Sequence, residues 1–231
     1  MQINDQYLKL AICELEKYML SDLQYSKRLR EFLDEKIDSQ NYLNAKYGFK
    51  KFISGYSVAR TLAKGDEDKL KILHELKNFR YSNSIPKDIE YLADLIQTKR
   101  LSSNTKSGGK SRPVSFCSKY QFIREPDKVM PYDSFALKSL EINVDRKFKS
   151  SINEYYQAAK STKHLFDLHE QDIHQRIDVI KSEDFCDLVE ELKLNKRDLI
   201  NWRITDKYLW AQEFQRKKEI AKNNVHHDQS G

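Results

Sequence analysis

The chain has 231 residues, of which 39% are hydrophobic and 33% are charged, and its formal net charge is +6 at pH 7. This balance supports a buried core and excludes a chain that is disordered over most of its length. No run of residues approaches the roughly 20 apolar residues of a membrane span, and the amphipathic N-terminus lacks the uninterrupted apolar core of a signal peptide. The three cysteines lack metal-ligand or disulfide spacing, so we expect a cytoplasmic protein with no metal and no membrane contact.

Apolar residues recur at three- and four-residue spacing along most of the chain, which is the period of amphipathic helices, and strand-like alternation is almost absent. Ser84, followed by Ile85 and Pro86, predicts a helix start because proline fits the first turn of a helix. The sequence therefore predicts an all-α fold. The apolar positions that support it before residue 100 are Tyr7, Leu10, Ala11, Leu15, Met19, Phe52, Ile53, Tyr56, Leu62, Leu70, Leu73, Leu76, Ile89, Leu92, Ala93 and Ile96.

A polar connector, residues 101–112, divides the helical pattern into two predicted lobes. Its Gly108-Gly109 pair supplies backbone freedom. The first lobe covers residues 1–100 and the second covers residues 113–221, an arrangement that leaves the first lobe able to pack against the C-terminal helices. Residues 222–231 form a polar tail that we expect to be flexible.

The second lobe begins with residues 113–140, where a proline-containing break separates two predicted helices. Pro113 permits a new helix, and two further prolines end it. Asp133 follows the break at the position of a helix N-cap. Further helices are expected over residues 152–180 and 182–194 and from about residue 195 to 221, and the last of them contains both tryptophans, Trp202 and Trp210.

The positive charge of the chain is concentrated in residues 99–128, which hold eight basic residues against Glu125 and Asp127 and so account for the whole net charge of +6. Lysine and arginine side chains placed on phosphates release counterions, so a focused charge in a loop-rich stretch is typical of a polyanion footprint. A solvated loop that charge keeps soluble gives the same pattern. On the first interpretation, the DNA-contacting candidates are Lys106, Gly108, Gly109, Lys110, Arg112, Ser115 and Ser118.

The segment SFCSKYQFIREPDKVMPYDSFALKSL, residues 115–140, resembles the catalytic segment of helix-hairpin-helix DNA glycosylases, in particular the divergent bacterial proteins with an oxoguanine-DNA-glycosylase-like fold. In that superfamily a lysine near the start of one helix is followed by a proline-containing loop and an aspartate that opens the next helix. Lys119 matches the lysine, and Asp133 matches the aspartate. The glycines that usually precede the lysine and hold a DNA phosphate are absent from PVSFCS, which would pass phosphate contact to the basic connector.

The resemblance implies a two-lobed helical enzyme that flips a damaged or modified base out of double-stranded DNA and excises it, in repair or in defence against modified foreign DNA. Asp133, kept ionised by the helix N-terminus, would stabilise positive charge on the sugar. Lys119, made neutral by burial near other cations, would attack the sugar carbon and add a lyase step. We expect a monomer that needs no cofactor. The candidate base-stacking residues are Phe122, Tyr132, Trp202 and Trp210, although two tryptophans eight residues apart on one helix are more typical of a core than of a pocket.

Two other classes of function stay open. A helical DNA-binding or adaptor protein without catalysis would use Lys119 as a phosphate contact and Asp133 only as a helix cap. A nuclease would need clustered carboxylates to hold magnesium, and none stands out in the basic segment.

Overall fold

The computed structural model describes residues 2–34, 49–56, 61–104, 109–148 and 151–228, and these residues form an all-α fold. The all-α prediction is therefore confirmed. Residues 49–55 are helical, and a short 3₁₀ turn covers Val179–Lys181. The other helices are α1 (Asp5–Asp34), α2 (Asp66–Asn78), α3 (Ile85–Thr98), α4 (Val114–Arg124), α5 (Ser134–Asn143), α6 (Ile152–Leu168), α7 (Glu170–Gln175), α8 (Glu183–Glu191) and α9 (Lys196–Asp228).

Local sequence signals account for several of the helix starts. Ser84 precedes α3 in an extended conformation and Pro86 stands in the first turn, where its missing N–H removes no helical hydrogen bond. α4 begins directly after Pro113. Asp133 caps α5 through its side chain, as the sequence predicts, and Ser182 caps α8 in the same way.

The periodic stretch 152–180 forms two helices and a 3₁₀ turn, whereas the sequence pattern predicts one continuous helical stretch. The backbone leaves the helical conformation at His169, which has neither a glycine nor a proline beside it. The break lets Ile173, Ile177 and Ile180 pack into the same apolar cluster as the first half of α1. Tertiary packing therefore sets this boundary.

α9 is the central helix of the fold. Residues 199–206 are all buried, which is the pattern of a helix covered on every side. α1, α5 and α6 pack along it. α9 continues to Asp228, beyond the end that the sequence predicts at residue 221.

The buried side chains form two clusters. One joins residues from Phe49 to Ala159 with Trp202 and Leu209, and it takes side chains from both sides of the connector 101–112. The other joins the first half of α1 to side chains from the C-terminal helices. Among the described residues the connector does not separate two cores, and short bridges from Leu62 to Ser102 and from Asn104 to Lys110 tie it down. No helix in the described part of the chain is both long enough and apolar enough to cross a membrane.

Candidate active site

Lys119 and Asp133 lie close together where α4, α5 and α9 meet. The half-buried Lys119 points its ammonium at the backbone of the helical segment 49–55, where its Nζ donates to the carbonyl of Tyr56 at 2.8 Å. The Asp133 carboxylate accepts the backbone N–H groups of Phe135 at 2.7 Å and Ala136 at 2.8 Å. The proline-containing loop between the helices thus brings the Lys119 amine and the Asp133 carboxylate close enough for each charge to affect the pKa of the other.

Charged side chains from α9 complete this neighbourhood. Burial lowers the pKa of the Lys119 amine below its ordinary value; the carboxylates of Asp133 and Asp206 oppose this shift, and Lys207 adds to it. The direction agrees with the expectation that burial near a cation lowers the pKa. The cation is Lys207 of α9, however, and not a residue of the basic connector.

The carboxyl of Asp133 is shifted in the opposite direction to the one expected. Burial raises its pKa and the nearby Asp206 raises it further, while the N–H groups of Ala136 and Phe135 and the charge of Lys119 oppose the rise. The expectation that the helix N-terminus dominates is wrong, because desolvation and a second carboxylate outweigh two backbone donors. Lys119 and Asp133 are thus both half-buried, and desolvation disfavours the charged form of each.

A network of buried charged side chains adjoins the candidate active site. Arg203 pairs with Asp22 of α1 and, at 3.0 Å, with Asp206. The hydroxyl of Tyr56 donates to Asp22. Tyr56 therefore links the two systems, because its backbone carbonyl holds Lys119 and its side chain joins the network.

The sequence analysis missed Asp22, Arg203 and Asp206. One signal for them was present: Arg203 and Asp206 stand three residues apart in a helix that also carries the apolar residues Trp202, Ile204 and Tyr208. Charged residues on a buried helical surface are expected to pair with each other or with another element. Their partner Asp22 is distant in sequence, so the pattern could indicate a buried pair without placing it.

Hydrogen bonds fix the loop that leads into Asp133. The hydroxyl of Tyr155 donates to the carbonyl of Pro131 at 2.7 Å, and that of Tyr156 donates to Met130 at 3.0 Å. Ser118 is fully buried, and its Oγ accepts the N–H of Tyr132 at 2.5 Å. Ser118 is therefore a loop-fixing residue, and the prediction that it binds phosphate is wrong because its hydroxyl is inaccessible.

The two described cations among the remaining DNA-contact candidates have partners within the chain. Lys106 and Gly108 lie outside the described residues, Gly109 is exposed and Ser115 is half-buried. Lys110 donates to the carbonyl of Ser102 at 3.1 Å. Arg112 forms an ion pair with Asp94 of α3 at 2.6 Å.

Other cations of the basic stretch also have intramolecular partners. Lys99 pairs with Glu75, and Lys128 pairs with Glu125. The guanidinium of Arg124 lies 3.5 Å from the centre of the Tyr81 ring. The charge that appears focused in the sequence is therefore partly compensated within the fold.

The four base-stacking candidates separate into two pairs. Phe122 is fully buried and Trp202 is 5% exposed, so neither ring offers a face to a nucleotide and both predictions are corrected. Tyr132 and Trp210 are half-buried. Tyr132 packs edge-on against Tyr155, whereas Trp210 is stacked between two further aromatic rings.

Two clefts open elsewhere on the described surface, and neither contains Lys119 or Asp133. One, of about 580 Å³, lies among the C-terminal ends of α2, α4 and α8 and includes Arg30, Lys77 and Lys193. Arg30 donates there to the carbonyls of Arg124 and Leu192. Cations are favourable at such helix ends because the last carbonyls have no hydrogen-bond partner within the helix. The other, of about 510 Å³, lies between the start of α1 and the α6–α7 region.

Among the described residues, no group of three or more histidine, cysteine, aspartate and glutamate side chains is arranged to hold a metal ion. Comparison with protein-family models, with curated proteins and with solved structures found no match.

Proposed function

We propose that the protein is a DNA glycosylase with an associated abasic-site lyase step, and that Lys119 and Asp133 are its catalytic residues. One observation carries this proposal. The half-buried Lys119 amine lies beside the carboxylates of Asp133 and Asp206, and burial lowers the pKa of this amine. A lysine pKa that desolvation and a neighbouring cation depress is typical of a reactive amine. The resemblance of residues 115–140 to the glycosylase catalytic segment suggests the same two residues.

The chemistry follows from the two groups. As the glycosidic bond lengthens, positive charge grows on the sugar, and the Asp133 carboxylate stabilises it. The neutral Lys119 amine then forms a bond to C1′, and the base leaves with the electron pair of the broken bond and takes up a proton. Ring opening and loss of an amine proton give a Schiff base.

The lyase step begins from this Schiff base. Removal of a C2′ proton expels the 3′ phosphate and breaks the strand. Water then hydrolyses the Schiff base and restores the amine.

The proposed substrate is double-stranded DNA that contains a damaged or modified base. This base is extruded from the duplex at a cost of a few kcal/mol. We propose further that the protein acts as a monomer in the cytoplasm without a cofactor, within a two-lobed fold like that of the helix-hairpin-helix glycosylases. Repair and defence against modified foreign DNA are both consistent with this chemistry.

Strand scission at an abasic site tests the proposal without knowledge of the base. A labelled duplex with one abasic site should be cut by the wild type, and cutting should be lost in Lys119→Gln. Lys160→Gln is the matched control because Lys160 is an exposed lysine of α6. Equal cutting by the Lys119 and Lys160 variants would refute the catalytic role of Lys119.

The second candidate is a non-catalytic DNA-binding or adaptor protein. One observation favours it: Asp133 already serves as the N-cap of α5 through two hydrogen bonds, which is a sufficient structural reason for an aspartate there. On this alternative, Lys119→Gln lowers DNA affinity modestly, and the wild type cuts no abasic strand.

A further inference from the structure

A column of three half-buried aromatic rings lies beside the candidate active site. Phe135 of α5 stacks on Trp210 of α9 with ring centres 6.2 Å apart and planes inclined by 13°. Trp210 stacks in turn on Phe214 at 4.7 Å and 16°. Nearly parallel rings from two helices form a continuous stacked surface, here named the aromatic column.

Cations stand over two of these rings. The Lys217 ammonium lies 3.8 Å from the centre of the Phe135 ring, and the Lys218 ammonium lies 4.4 Å from that of Phe214. Such contacts stabilise a cation on an aromatic face, and a lysine on its flexible stem can leave the ring for a phosphate.

Two further cations reach the column through a shared carboxylate. Arg216 forms a two-point ion pair with the buried Glu213, at 2.6 and 2.8 Å. The ammonium groups of Lys138 and Lys217 both lie 4.0 Å from the same carboxylate. Lys138, Arg216 and Lys217 thus share one carboxylate, and Lys218 stands over the neighbouring Phe214 ring, which leaves the surface of the column positive.

The column adjoins the candidate active site through its first ring. The backbone N–H of Phe135 donates to the carboxylate of Asp133. At the other side, Lys207, whose charge acts on Lys119, precedes Trp210 by three residues on α9. A ligand held on the column would therefore continue directly into the neighbourhood of Lys119 and Asp133.

We propose that the aromatic column, together with Lys138, Arg216, Lys217 and Lys218, is a binding surface for unpaired nucleotides of a DNA strand. It would hold the strand next to the candidate active site, so the inference rests on the proposed function for its natural ligand. Aromatic rings accept a base of any sequence by stacking, and flanking cations follow the phosphates.

Binding on this surface exchanges one set of contacts for another. A base takes the ring face that Lys217 or Lys218 occupies, and the displaced ammonium moves to a neighbouring phosphate. A cation–π contact is replaced by a base–ring contact and a charge-assisted hydrogen bond. A lipid surface would not supply both a flat ring and a regularly spaced anion.

The test measures binding of a labelled oligodeoxythymidine of about ten nucleotides, a length within the range that stacking platforms bind. Phe214→Ala should weaken binding by about tenfold, because Phe214 offers the ring face that a base takes when Lys218 leaves it. In the wild type, tryptophan fluorescence should fall on binding, and Trp210→Phe should abolish this change, because Trp202 is buried.

The lysines are tested as a pair against a matched pair. Lys217→Ala with Lys218→Ala should lower the slope of log affinity against log salt by about 1.4, which is two single-strand phosphate contacts. Lys71→Ala with Lys87→Ala removes the same charge from exposed positions of α2 and α3 and should leave the slope unchanged. Circular dichroism and thermal unfolding establish that each variant is folded.

Several results would overturn the inference. They are wild-type failure to bind the oligonucleotide, equal affinity of Phe214→Ala and wild type, or equal salt slopes for the two lysine pairs. Tight binding of inorganic polyphosphate or of anionic vesicles in place of the oligonucleotide would also reject it, because neither ligand offers a base.

The outcome of the binding test does not depend on whether the proposed catalysis is confirmed. Lys160→Gln, which changes an exposed lysine outside both the column and the candidate active site, should bind the oligonucleotide as the wild type does. If abasic strands are not cut while the column variants lose binding, the proposed catalysis fails and the binding surface stands.

Discussion

Replacement of Asp133 separates its role as a helix cap from its role as a buried charge. Its carboxylate accepts two backbone N–H groups, at 2.7 and 2.8 Å. Loss of such a cap costs about 1–2 kcal/mol, which for a chain of this size lowers Tm by about 2–8 °C. Asp133→Ala should show this loss. Asp133→Asn keeps an accepting oxygen and should unfold within about 0.5 kcal/mol of the wild type.

The pH dependence of stability should also distinguish Asp133→Asn from the wild type. Burial and Asp206 raise the pKa of Asp133 above its ordinary 3.8. Between 3.8 and the raised folded value, the folded state binds more protons than the unfolded state, so the wild type loses stability as pH rises through this window. Asparagine has no proton to lose. Asp133→Asn should therefore gain stability relative to the wild type as pH rises from acidic to neutral.

Thermal unfolding followed by circular dichroism, for the three proteins across this pH range, measures both effects. The strand-scission assay is run on the same samples, and both variants should be inactive. If Asp133→Asn loses as much stability as Asp133→Ala at every pH, the reasoning is refuted. The ionised carboxylate would then stabilise the fold, and no functional reason for burying it would be needed.

The remaining predictions concern Lys119, Arg203 and Arg112. Because burial lowers the pKa of Lys119, the folded state binds fewer protons than the unfolded state just below pH 10.5. Wild-type stability should therefore rise with pH in this range. Denaturant titrations of Lys119→Met should not show this rise. Arg203→Met should cost about 3–5 kcal/mol in urea unfolding, because it removes the guanidinium that pairs with the buried carboxylates of Asp22 and Asp206; a cost below about 1 kcal/mol would contradict a paired network. Arg112→Ala should cost at most about 1 kcal/mol, since its ion pair with Asp94 is exposed, and it should leave DNA affinity unchanged in anisotropy titrations.

Local signals in the sequence predicted the parts of the fold that depend on neighbouring residues. The apolar period gave the helices, Pro86 and Pro113 gave two helix starts, and Asp133 was correctly placed as an N-cap. Each of these depends on interactions within about one helical turn. They could be predicted without knowledge of the tertiary structure.

The environment of the candidate site could not be predicted in the same way. Tyr56, which accepts the hydrogen bond of Lys119, is 63 residues away in sequence, and Asp22 is 181 residues from Arg203. The raised pKa of Asp133 depends on Asp206 and on burial, so the helix N-terminus alone gave the wrong direction. Phe122 and Trp202 looked like available rings because periodicity does not show which helix covers them.

Borohydride trapping on a duplex with one abasic site, followed by mass-spectrometric mapping of the linked peptide, tests the central claim most directly. Borohydride reduces a Schiff base between the protein and the sugar to a stable amine bond. The account predicts an adduct on Lys119 that Lys119→Gln abolishes and Lys160→Gln retains. Bound DNA without an adduct, or an adduct on another lysine, would contradict the assignment of Lys119 as the nucleophile.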